Sequence, residues 1–578
     1  MTADNIAQRV NVSPNGSQYN AASLNNRPGI LHWFQRQKAL AIKAFIVTVI
    51  LSTVTIVWNM YAVLHDNNHN TYHLFDNLVQ LLLPNNKNSP AVKATDNGNI
   101  NLKRCIDIPV PTYYWNLNSD STSPFATVDQ SDFVYVGDTV CVRVVVPITP
   151  PSSSRVFAPF PNTPWDSIII EFSGNNTGIS VPVDLRPISD VRNTQRDSTH
   201  IYEADVSLRE ADIYYLRGYI EFKNAEWNPD SLEIPPVLSP IKLDMPSYGV
   251  NVMDHTDINY NPYSLLRYLK LPFCKEMDVD GRWVLVTDLP FDPSLVPLPD
   301  NYNRVWLPYT CQIRRISYDK LTKALNNKQR PIHWFGDSNT RRALKKITTL
   351  GKWCSSSKDQ ASIKCMCEDQ GEKFPIYNTA ASQTILNVNA THGGHKVTGK
   401  YRPQNIPKDN IRIISLRVGG LTNNSKFLWQ NHFASNLTKR FGHPSTIILS
   451  LTNWDAAFTS LSYFANQLDM LMERINDTYD SSAEIIVRTG QYFCCHTDTS
   501  SVHRRYSRLR NRAFDNYLIG AIRLRLGRKY NIHVWDVARI SERRPYEARK
   551  ESISCNANHA RSEIVEVENQ VLFNYLSN

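Results

Sequence analysis

The stretch that decides the fold reads Ile332-His333-Trp334-Phe335-Gly336-Asp337-Ser338-Asn339-Thr340-Arg341-Arg342. A short apolar run stops at Gly336-Asp337-Ser338, and a helix pattern over residues 339–350 follows at once. This order predicts a strand, a tight turn and a helix, and the glycine lets the backbone turn without a Cβ clash. A serine at such a turn presents its hydroxyl and its N–H to the same space, as nucleophilic acyl chemistry requires. The motif is common by chance, so it needs partners further along the chain.

From residue 331 onward, apolar strand patterns alternate with amphipathic helix patterns. The predicted strands are 332–335, 411–418, 446–451, 484–489 and 532–535, and the predicted helices are 339–350, 456–475, 503–526 and 562–576. Such alternation predicts a parallel sheet covered by helices on both faces. Reacting groups in such sheets lie at the carboxyl ends of the strands, where Ser338 is expected.

A histidine near the end of the chain is the candidate partner of the serine. His559 precedes the predicted terminal helix, and Asp536 ends the last predicted strand. A histidine placed there could take the serine proton, with an acid fixing its tautomer. Asp536 is the nearest candidate acid, and Asp337 is an alternative. A lone histidine is more often a surface or core residue, but its place after a serine-first α/β pattern favours catalysis.

Oxyanion donors are expected at two further strand ends. Gly419 and Gly420 follow the strand over 411–418, and their backbone N–H groups could approach a ligand. Asn453 follows the strand over 446–451, and its amide is either an oxyanion donor or a helix N-cap. Arg342, one turn into the helix after Ser338, either contacts substrate or forms a structural salt bridge; the salt bridge is the preferred interpretation.

Serine, glycine, asparagine and histidine on successive strand ends resemble the SGNH-hydrolase arrangement. Four further stretches are similar to the neurexophilin and PC-esterase (NXPE) family: Gly336-Asp337-Ser338-x-x-Arg341-Arg342, Ile485-Ile486-Val487-Arg488-Thr489, Trp535-Asp536 and the tail Asn569-Gln570-Val571-Leu572-Phe573-Asn574-Tyr575-Leu576. Tyr135-Val136-Gly137-Asp138-Thr139-Val140-Cys141-Val142-Arg143 resembles the opening strand of that family's immunoglobulin- or filamin-like domain. The resemblance spans residues 105–578. It implies addition or removal of O-acetyl groups on glycans in the Golgi, and it alone favours transfer over hydrolysis.

The chain departs from this pattern at one important position. Many enzymes of this kind carry an aspartate three residues before the histidine, where this chain has Asn556. An asparagine cannot supply the negative charge that stabilises an imidazolium. The alternative hypothesis is therefore a catalytically inactive, membrane-anchored glycoprotein that acts as a binding or adhesion module. Asp455, two residues after Asn453, is an additional acid for which the pattern gives no role.

The region before the α/β pattern is predicted to be β-rich. Val140, Val142, Val144 and Val146 alternate with other residues at the period of a strand, and residues 167–172 and 213–222 give further strands. Short strands with frequent turns indicate an Ig-like β-sandwich. The predicted organisation is a cytosolic tail (1–43), a transmembrane helix (44–64), a stem (65–104), a β-sandwich (105–245), a disulfide-tied connector (246–330) and an SGNH-like three-layer α/β domain (331–578).

The first hundred residues lead to an expected membrane topology. Residues 44–64 carry no charge and are long enough to cross ~30 Å of hydrocarbon. Arg27, Arg36, Lys38 and Lys43 lie before this run and Asp66 follows it, which predicts a type II single-pass protein with its C-terminal part luminal or extracellular. A cleaved signal peptide is the less favoured alternative, because a long polar segment precedes the run.

Cysteines and glycosylation motifs point to the secretory pathway. All 10 cysteines follow residue 64, which predicts up to five disulfides of undetermined pairing and an expected Golgi or other secretory-pathway membrane location. A metal site at Cys365 and Cys367 or at Cys494 and Cys495 is less favoured, because neither pair has a spaced partner pair. The predicted glycosylation sites are Asn175, Asn389, Asn423, Asn436 and Asn476.

The charge balance does not change this interpretation. The net charge is +10, with a basic concentration at Arg504, Arg505, Arg508, Arg510 and Arg512. A solvated helix face explains it better than a nucleic-acid surface, so nucleic acid is not expected as a partner. The expected partners are a membrane and a carbohydrate or glycoprotein substrate. No bound cofactor or metal is expected; the acetyl donor is undetermined, with acetyl-CoA as one candidate.

Overall fold

The structure is a computed structural model of the whole chain. The described residues are 104–117, 122–129, 134–147, 166–188, 199–223, 240–254, 261–327, 330–348, 351, 385–389, 413–417, 420–422, 438–439, 442–492, 508–545, 553–554 and 559–577.

A β-sandwich opens the described part of the chain. Its strands are β1 (Phe125–Asp129), β2 (Val134–Tyr135), β3 (Thr139–Pro147), β4 (Ser167–Gly174), β5 (Ser180–Pro182), β6 (Arg186–Ile188), β7 (Thr199–Ser207), β8 (Asp212–Phe222), β9 (Ile241–Lys242) and β10 (Val250–Met253). One sheet has the order β1-β3-β7-β6, and the other has the order β2-β10-β8-β4-β5 with β9 paired to β8. Apolar side chains from both sheets form a single core.

Strand β3 is buried on both faces. Its even-numbered valines, from Val140 to Val146, face the sandwich core. Its odd-numbered residues lie under the segment 105–117, where Val145 packs against Tyr114 and Cys141 forms a disulfide with Cys105. The disulfide closes a loop of 36 residues, a constraint that typically contributes about 3–4 kcal/mol. The segment ahead of β1 is therefore a covering layer of the sandwich.

The segment 261–327 packs into the core of the following domain. It contains the antiparallel hairpin of β11 (Gly281–Leu285) and β12 (Arg304–Pro308), the disulfide Cys274–Cys311, and helix α1 (Tyr318–Asn327). Trp283 and Trp306 of the hairpin are fully buried in the cluster that also includes the terminal helix. The indole N–H of Trp283 donates to the carbonyl of Ile540 at 2.8 Å. The two parts of the chain thus share one core.

A six-stranded, all-parallel sheet forms the centre of the last domain. Its strands are β13 (Ile332–Gly336), β14 (Ile385–Asn389), β15 (Ile413–Arg417), β16 (Thr446–Ser450), β17 (Glu484–Arg488) and β18 (Asn531–Trp535), in the order β14-β15-β13-β16-β17-β18. The helices are α2 (Ser338–Thr348), α3 (Thr452–Phe458), α4 (Leu461–Thr478), α5 (Arg508–Leu526), α6 (Val537–Glu542) and α7 (Ser562–Ser577). A short ladder pairs β19 (Ile553–Ser554) with β20 (His559–Ala560).

Two layers of helices cover the sheet, because its strands are apolar on both faces. On β16, Ile448 packs with α2, α7 and the connector hairpin. Its neighbours Ile447 and Leu449 pack on the opposite face with α4 and α5. The carboxyl ends of all six strands therefore meet at one edge of a three-layer α/β domain.

The strands and helices predicted from residue 331 onward are present, and the structure adds α6, β14, β19 and β20. Strand β14 is an edge strand that the sequence pattern did not predict. The helix predicted over 456–475 is two helices, because Ser460 caps α4 by accepting a hydrogen bond from the N–H of Tyr463 at 3.2 Å. The remaining four strands that were predicted along with β13 begin and end within two residues of their expected positions.

The fold-class prediction is wrong in its first term, the single-pass transmembrane helix. Among the described residues, no helix is long and apolar enough to cross a bilayer. Residues 44–64, which carried the prediction, lie outside the described part of the chain. So do the tail, the stem up to residue 103, the sequons at Asn423 and Asn436, and Cys354, Cys365, Cys367, Cys494, Cys495 and Cys555. Across the described ranges, no group of three or more metal-binding side chains is present.

Candidate active site

Ser338 and His559 lie together at the carboxyl edge of the parallel sheet. The His559 Nε2 atom is 2.6 Å from the Ser338 Oγ atom, although 221 residues separate them in the chain. Ser338 is the first residue of α2 and is half-buried, whereas His559 is 8% exposed. The distance is that of a hydrogen bond between a nucleophile and its base.

The strand-to-helix turn that presents Ser338 depends on Gly336. A Cβ at Gly336 would lie 1.9 Å from the Thr340 Oγ1 atom and 3.1 Å from the Ser450 Cβ atom. The carboxylate of Asp337 accepts a hydrogen bond from the N–H of Asn339 at 2.9 Å, which fixes the first turn of α2. The serine side chain is thus set by a tight turn between two rigid elements.

His559 is positioned by its own short ladder and by the terminal helix. In the register of β19 and β20, Ser554 lies opposite His559. The next residue, Ala560, belongs to the buried cluster that contains α7. The backbone of His559 is therefore held in place by the buried residue that follows it, Ala560.

Asn453 is held at both ends of its side-chain amide. Its Nδ2 atom donates to the Asp337 carboxylate at 3.1 Å, and its Oδ1 atom accepts from the N–H of Gln491 at 2.6 Å. Helix α3 has Leu451 at its N-cap position, so Asn453 lies inside the helix and does not cap it. The amide is fixed beside the residue that precedes Ser338, and its role as an oxyanion donor stays a prediction.

Gly420 lies in the turn after β15, on the neighbouring strand. Its φ of +86° is in the left-handed region that favours glycine. A Cβ there would lie 2.9 Å from both the Trp454 Cβ atom and the Asp455 Oδ1 atom. Gly419 lies outside the described residues, so Gly420 is the glycine for which the structure describes a position.

Asp536 has contacts other than the one expected of it. Its carboxylate caps α6 by accepting from the N–H of Arg539 at 3.1 Å, and it accepts from the Thr489 hydroxyl at 3.1 Å. The described contacts of Asp536 also include Arg512 and do not include the His559 ring. Its role as the acid of a triad stays a prediction that these contacts do not support. Asn556, at the position where an aspartate was expected, lies outside the described residues.

Arg342 is buried in the protein. It is 1% exposed, and its charge lies near the carboxylate of Glu568. The Glu568 carboxylate accepts hydrogen bonds from Arg488 at 2.8 Å and from Gln491 at 2.9 Å. Burial raises the pKa of Glu568, and the nearby arginines oppose this rise. The structural salt bridge of Arg342 stays a prediction.

Several residues of the site carried no sequence signal. The backbone N–H of Gln491 donates a hydrogen bond to the side-chain oxygen of Asn453, and the backbone N–H of Gly490 donates to the carboxylate of Asp515 at 2.9 Å. Asp515 also accepts from the Thr452 hydroxyl at 2.6 Å, and burial raises its pKa to about 7. These contacts join α3, α5 and the end of β17. Asp455, by contrast, did carry a signal, because it stands out in the sequence as an extra acid two residues after Asn453.

The predicted glycosylation sites differ in their surroundings. Asn175 is exposed in the turn after β4, and Asn476 is exposed on α4. Asn389 is the last residue of β14. Glycosylation at these positions stays a prediction.

A serine, a glycine, an asparagine and a histidine thus follow the parallel strands at the carboxyl edge of the sheet. No protein-family model and no curated protein sequence matches the chain. Among solved structures, Est24, a carbohydrate acetylesterase from Sinorhizobium meliloti, is similar with a TM-score of 0.23 and 11% identity, covering 42% of this chain and 96% of that one. Phospholipase A1 from Streptomyces albidoflavus NA297 is similar with a TM-score of 0.20 and 13% identity, covering 41% of this chain and 94% of that one.

Proposed function

We propose that this chain is a serine esterase that acts on acetyl esters of carbohydrates. The observation that carries the proposal is the 2.6 Å contact between Ser338 Oγ and His559 Nε2. A serine hydroxyl is a weak nucleophile until an adjacent base can accept its proton. The geometry supports an acyl-enzyme mechanism at Ser338.

The first half-reaction transfers the acyl group to the protein. Ser338 Oγ attacks the ester carbonyl carbon while its proton moves to His559 Nε2. The resulting oxyanion is held by the N–H of Ser338, the N–H of Gly420 and the amide of Asn453. Collapse of the intermediate breaks the bond between the carbonyl carbon and the sugar oxygen. The leaving sugar oxygen receives from His559 the proton that Ser338 gave up.

The second half-reaction releases the acyl group. Water or a second sugar hydroxyl gives its proton to His559 and attacks the acetyl-serine carbonyl. Ser338 leaves and recovers its proton, so the protein returns to its starting state. The site serves hydrolysis and transfer equally, and transfer is favoured by the resemblance to the NXPE family alone. That resemblance also supports a glycan as the substrate.

The proposed setting is an oxidising compartment of the secretory pathway. The two disulfides, Cys105–Cys141 and Cys274–Cys311, support it, because such bonds persist where thiols are not kept reduced. A Golgi location is proposed from the family resemblance. Localisation of the tagged full-length chain would test it, and a cytosolic distribution would contradict it.

Hydrolysis is tested by measuring acetate release from p-nitrophenyl acetate and from a panel of O-acetylated glycans. Transfer is tested by adding acetyl-CoA as donor and a deacetylated glycan as acceptor. Ser338→Ala in the full-length chain is expected to lower kcat at least about 10⁴-fold. The matched control is Ser294→Ala, which alters an exposed serine in a short turn of the connector. Equal activity of the native chain and Ser338→Ala would dismiss the esterase. A folded native chain inactive on every ester would favour the binding-module alternative.

A further inference from the structure

Asp455 is a buried acid next to the candidate oxyanion site that the proposed mechanism does not use. It is 1% exposed and lies on α3, two residues after Asn453. Its carboxylate accepts hydrogen bonds from the backbone N–H of Leu421, from the backbone N–H of Thr422 at 3.0 Å, and from the Thr422 hydroxyl. Three donors thus converge on one carboxylate.

These donors belong to the turn that carries Gly420. The turn follows β15, which pairs in parallel with β13, the strand that leads to Ser338. Gly420 immediately precedes Leu421, and its left-handed φ brings its Cα to the surface formed by Trp454 and Asp455. Since Leu421 is fully buried in the core, the turn is fixed by apolar packing on one side and by the carboxylate on the other.

We infer that Asp455, in its ionised form, is a positioning residue that holds the Gly420 turn in the geometry required of an oxyanion donor. This inference rests on the proposed esterase function. A carboxylate can accept from all three donors, whereas a protonated carboxyl must present one O–H and loses an acceptor position. Protonation of Asp455 therefore releases part of the turn and weakens stabilisation of the oxyanion.

The surroundings place this ionisation in the neutral range. Burial raises the pKa of Asp455 to about 7, the hydrogen bonds from Thr422 and Leu421 oppose the rise, and the Asp337 carboxylate adds to it. Among the described residues, the other charged groups that face α3 are Arg510 and Asp515 of α5. Arg510 donates to carbonyl oxygens of the α3 backbone and of the residue after the helix, and Asp515 accepts from Thr452.

The sign of the pH effect differs for activity and stability. The pKa of Asp455 is raised in the folded chain, so its contribution to stability is present below the ordinary value of 3.8 and is lost as pH rises through about 7. Activity has the opposite sign, because the ionised form holds the turn. The native chain should therefore gain activity and lose stability over the same pH range.

Asp455→Asn replaces one acceptor oxygen with an N–H donor that faces the turn. We expect kcat for p-nitrophenyl acetate to fall about 10- to 100-fold, with KM little changed, and the part of the pH–rate profile that depends on Asp455 to disappear. Thr422→Val removes the hydroxyl donor and should lower kcat by a smaller factor. Thr422→Ser keeps the hydroxyl and should retain the native kcat. The matched control is Glu221→Gln in the sandwich, since burial also raises the pKa of Glu221 to about 7.

Two readouts do not depend on activity. Hydrogen exchange at the Leu421 and Thr422 amides should be faster in Asp455→Asn than in the native chain, and unchanged in Glu221→Gln. The Tm of the native chain relative to Asp455→Asn should fall between about pH 4 and about pH 7 and then level off. Unchanged exchange together with an unchanged pH–rate profile would overturn the inference. If the native chain releases no acetate, the esterase proposal fails, and the exchange result alone decides whether Asp455 holds the turn.

Discussion

Asn453 shows how one side chain acquires a fixed direction from contacts on both sides. One of its two amide hydrogens is engaged by Asp337, and its carbonyl oxygen is engaged by Gln491. The amide cannot rotate without breaking one of these buried hydrogen bonds. Its second hydrogen is the one that we propose for the oxyanion, and this pre-orientation is what makes such a donor effective.

Replacement of this amide should affect the transition state more than substrate binding. We expect Asn453→Ala to lower kcat about 10²- to 10³-fold with little change in KM. The control is Asn574→Ala, because Asn574 is also a buried residue with a two-ended contact, to the N–H and the carbonyl of Arg314, away from the site. Steady-state kinetics would give kcat and KM for both variants, with each sample corrected for its folded fraction. An equal loss of kcat in the two variants would show that Asn453 is only structural.

Asp536 should behave as a helix cap. Its contacts with Arg539 and Thr489 predict that Asp536→Ala costs about 1 kcal/mol of stability, as for other N-cap replacements. The activity of the folded fraction should change little. Urea denaturation and kcat, measured on the same samples, separate the two effects. A loss near 10⁴-fold in kcat would instead identify Asp536 as the acid that orients His559.

At the scale of elements, the junction of β13 and α2 is the least tolerant part of the site. A methyl group at Gly336 would overlap the Thr340 side chain, which sits in the first turn of α2. We expect Gly336→Ala to cost about 1–3 kcal/mol and to move Ser338 enough to lower kcat. Gly520→Ala on the exposed face of α5 meets nothing within 4 Å and should raise stability by about 0.5–1 kcal/mol. Urea denaturation of the two variants tests the contrast; equal effects would contradict it.

The strands around Ser338 could be predicted because each is a short apolar run that ends at a turn residue. Strand β14 could not, because Asn387 and Asn389 interrupt its apolar pattern. The break between α3 and α4 was hidden by apolar residues on both sides of Ser460. The dyad was predictable because Ser338 and His559 each adjoin a recognisable helix start. The contact of Gln491 with Asn453 was not, because a backbone N–H leaves no trace in the sequence.

At the scale of the whole molecule, the β-sandwich and the α/β domain meet through both apolar and charged contacts. Ile169 of the sandwich packs with Tyr492 and Ala538. Asp184 forms ion pairs with Arg508 at 3.1 Å and with Arg539 at 3.2 Å. Burial works to raise the pKa of Asp184, but these arginines outweigh it and hold the pKa below its ordinary value. Because half of the Asp184 side chain is exposed, added salt should weaken both ion pairs. The apolar contact between the two domains should be less sensitive to salt.

The connector is joined to the α/β domain by a pair that is buried on both sides. Arg544 donates to the carboxylate of Asp300 at 2.6 Å, and neither side chain is exposed. We expect Asp300→Ala to cost about 3 kcal/mol, because it removes the nearest carboxylate from the buried Arg544 charge and leaves Glu563, 4.0 Å away, as the remaining acid. The double replacement Asp300→Ala with Arg544→Met should cost less than the single change. Asp469→Ala, which breaks the exposed pair with Arg525, is the control and should cost at most about 1 kcal/mol.

The same measurement decides whether the connector and the α/β domain unfold together. Trp283 and Trp306 of the hairpin share a core with α7, so denaturation of Asp300→Ala should remain a single transition at lower urea concentration. Tryptophan fluorescence and far-UV circular dichroism should report the same midpoint. Two separated transitions, with the second at the native midpoint, would show that the hairpin is an independent unit. In that case the charge pair would hold the connector in place without supporting the sheet that carries Ser338.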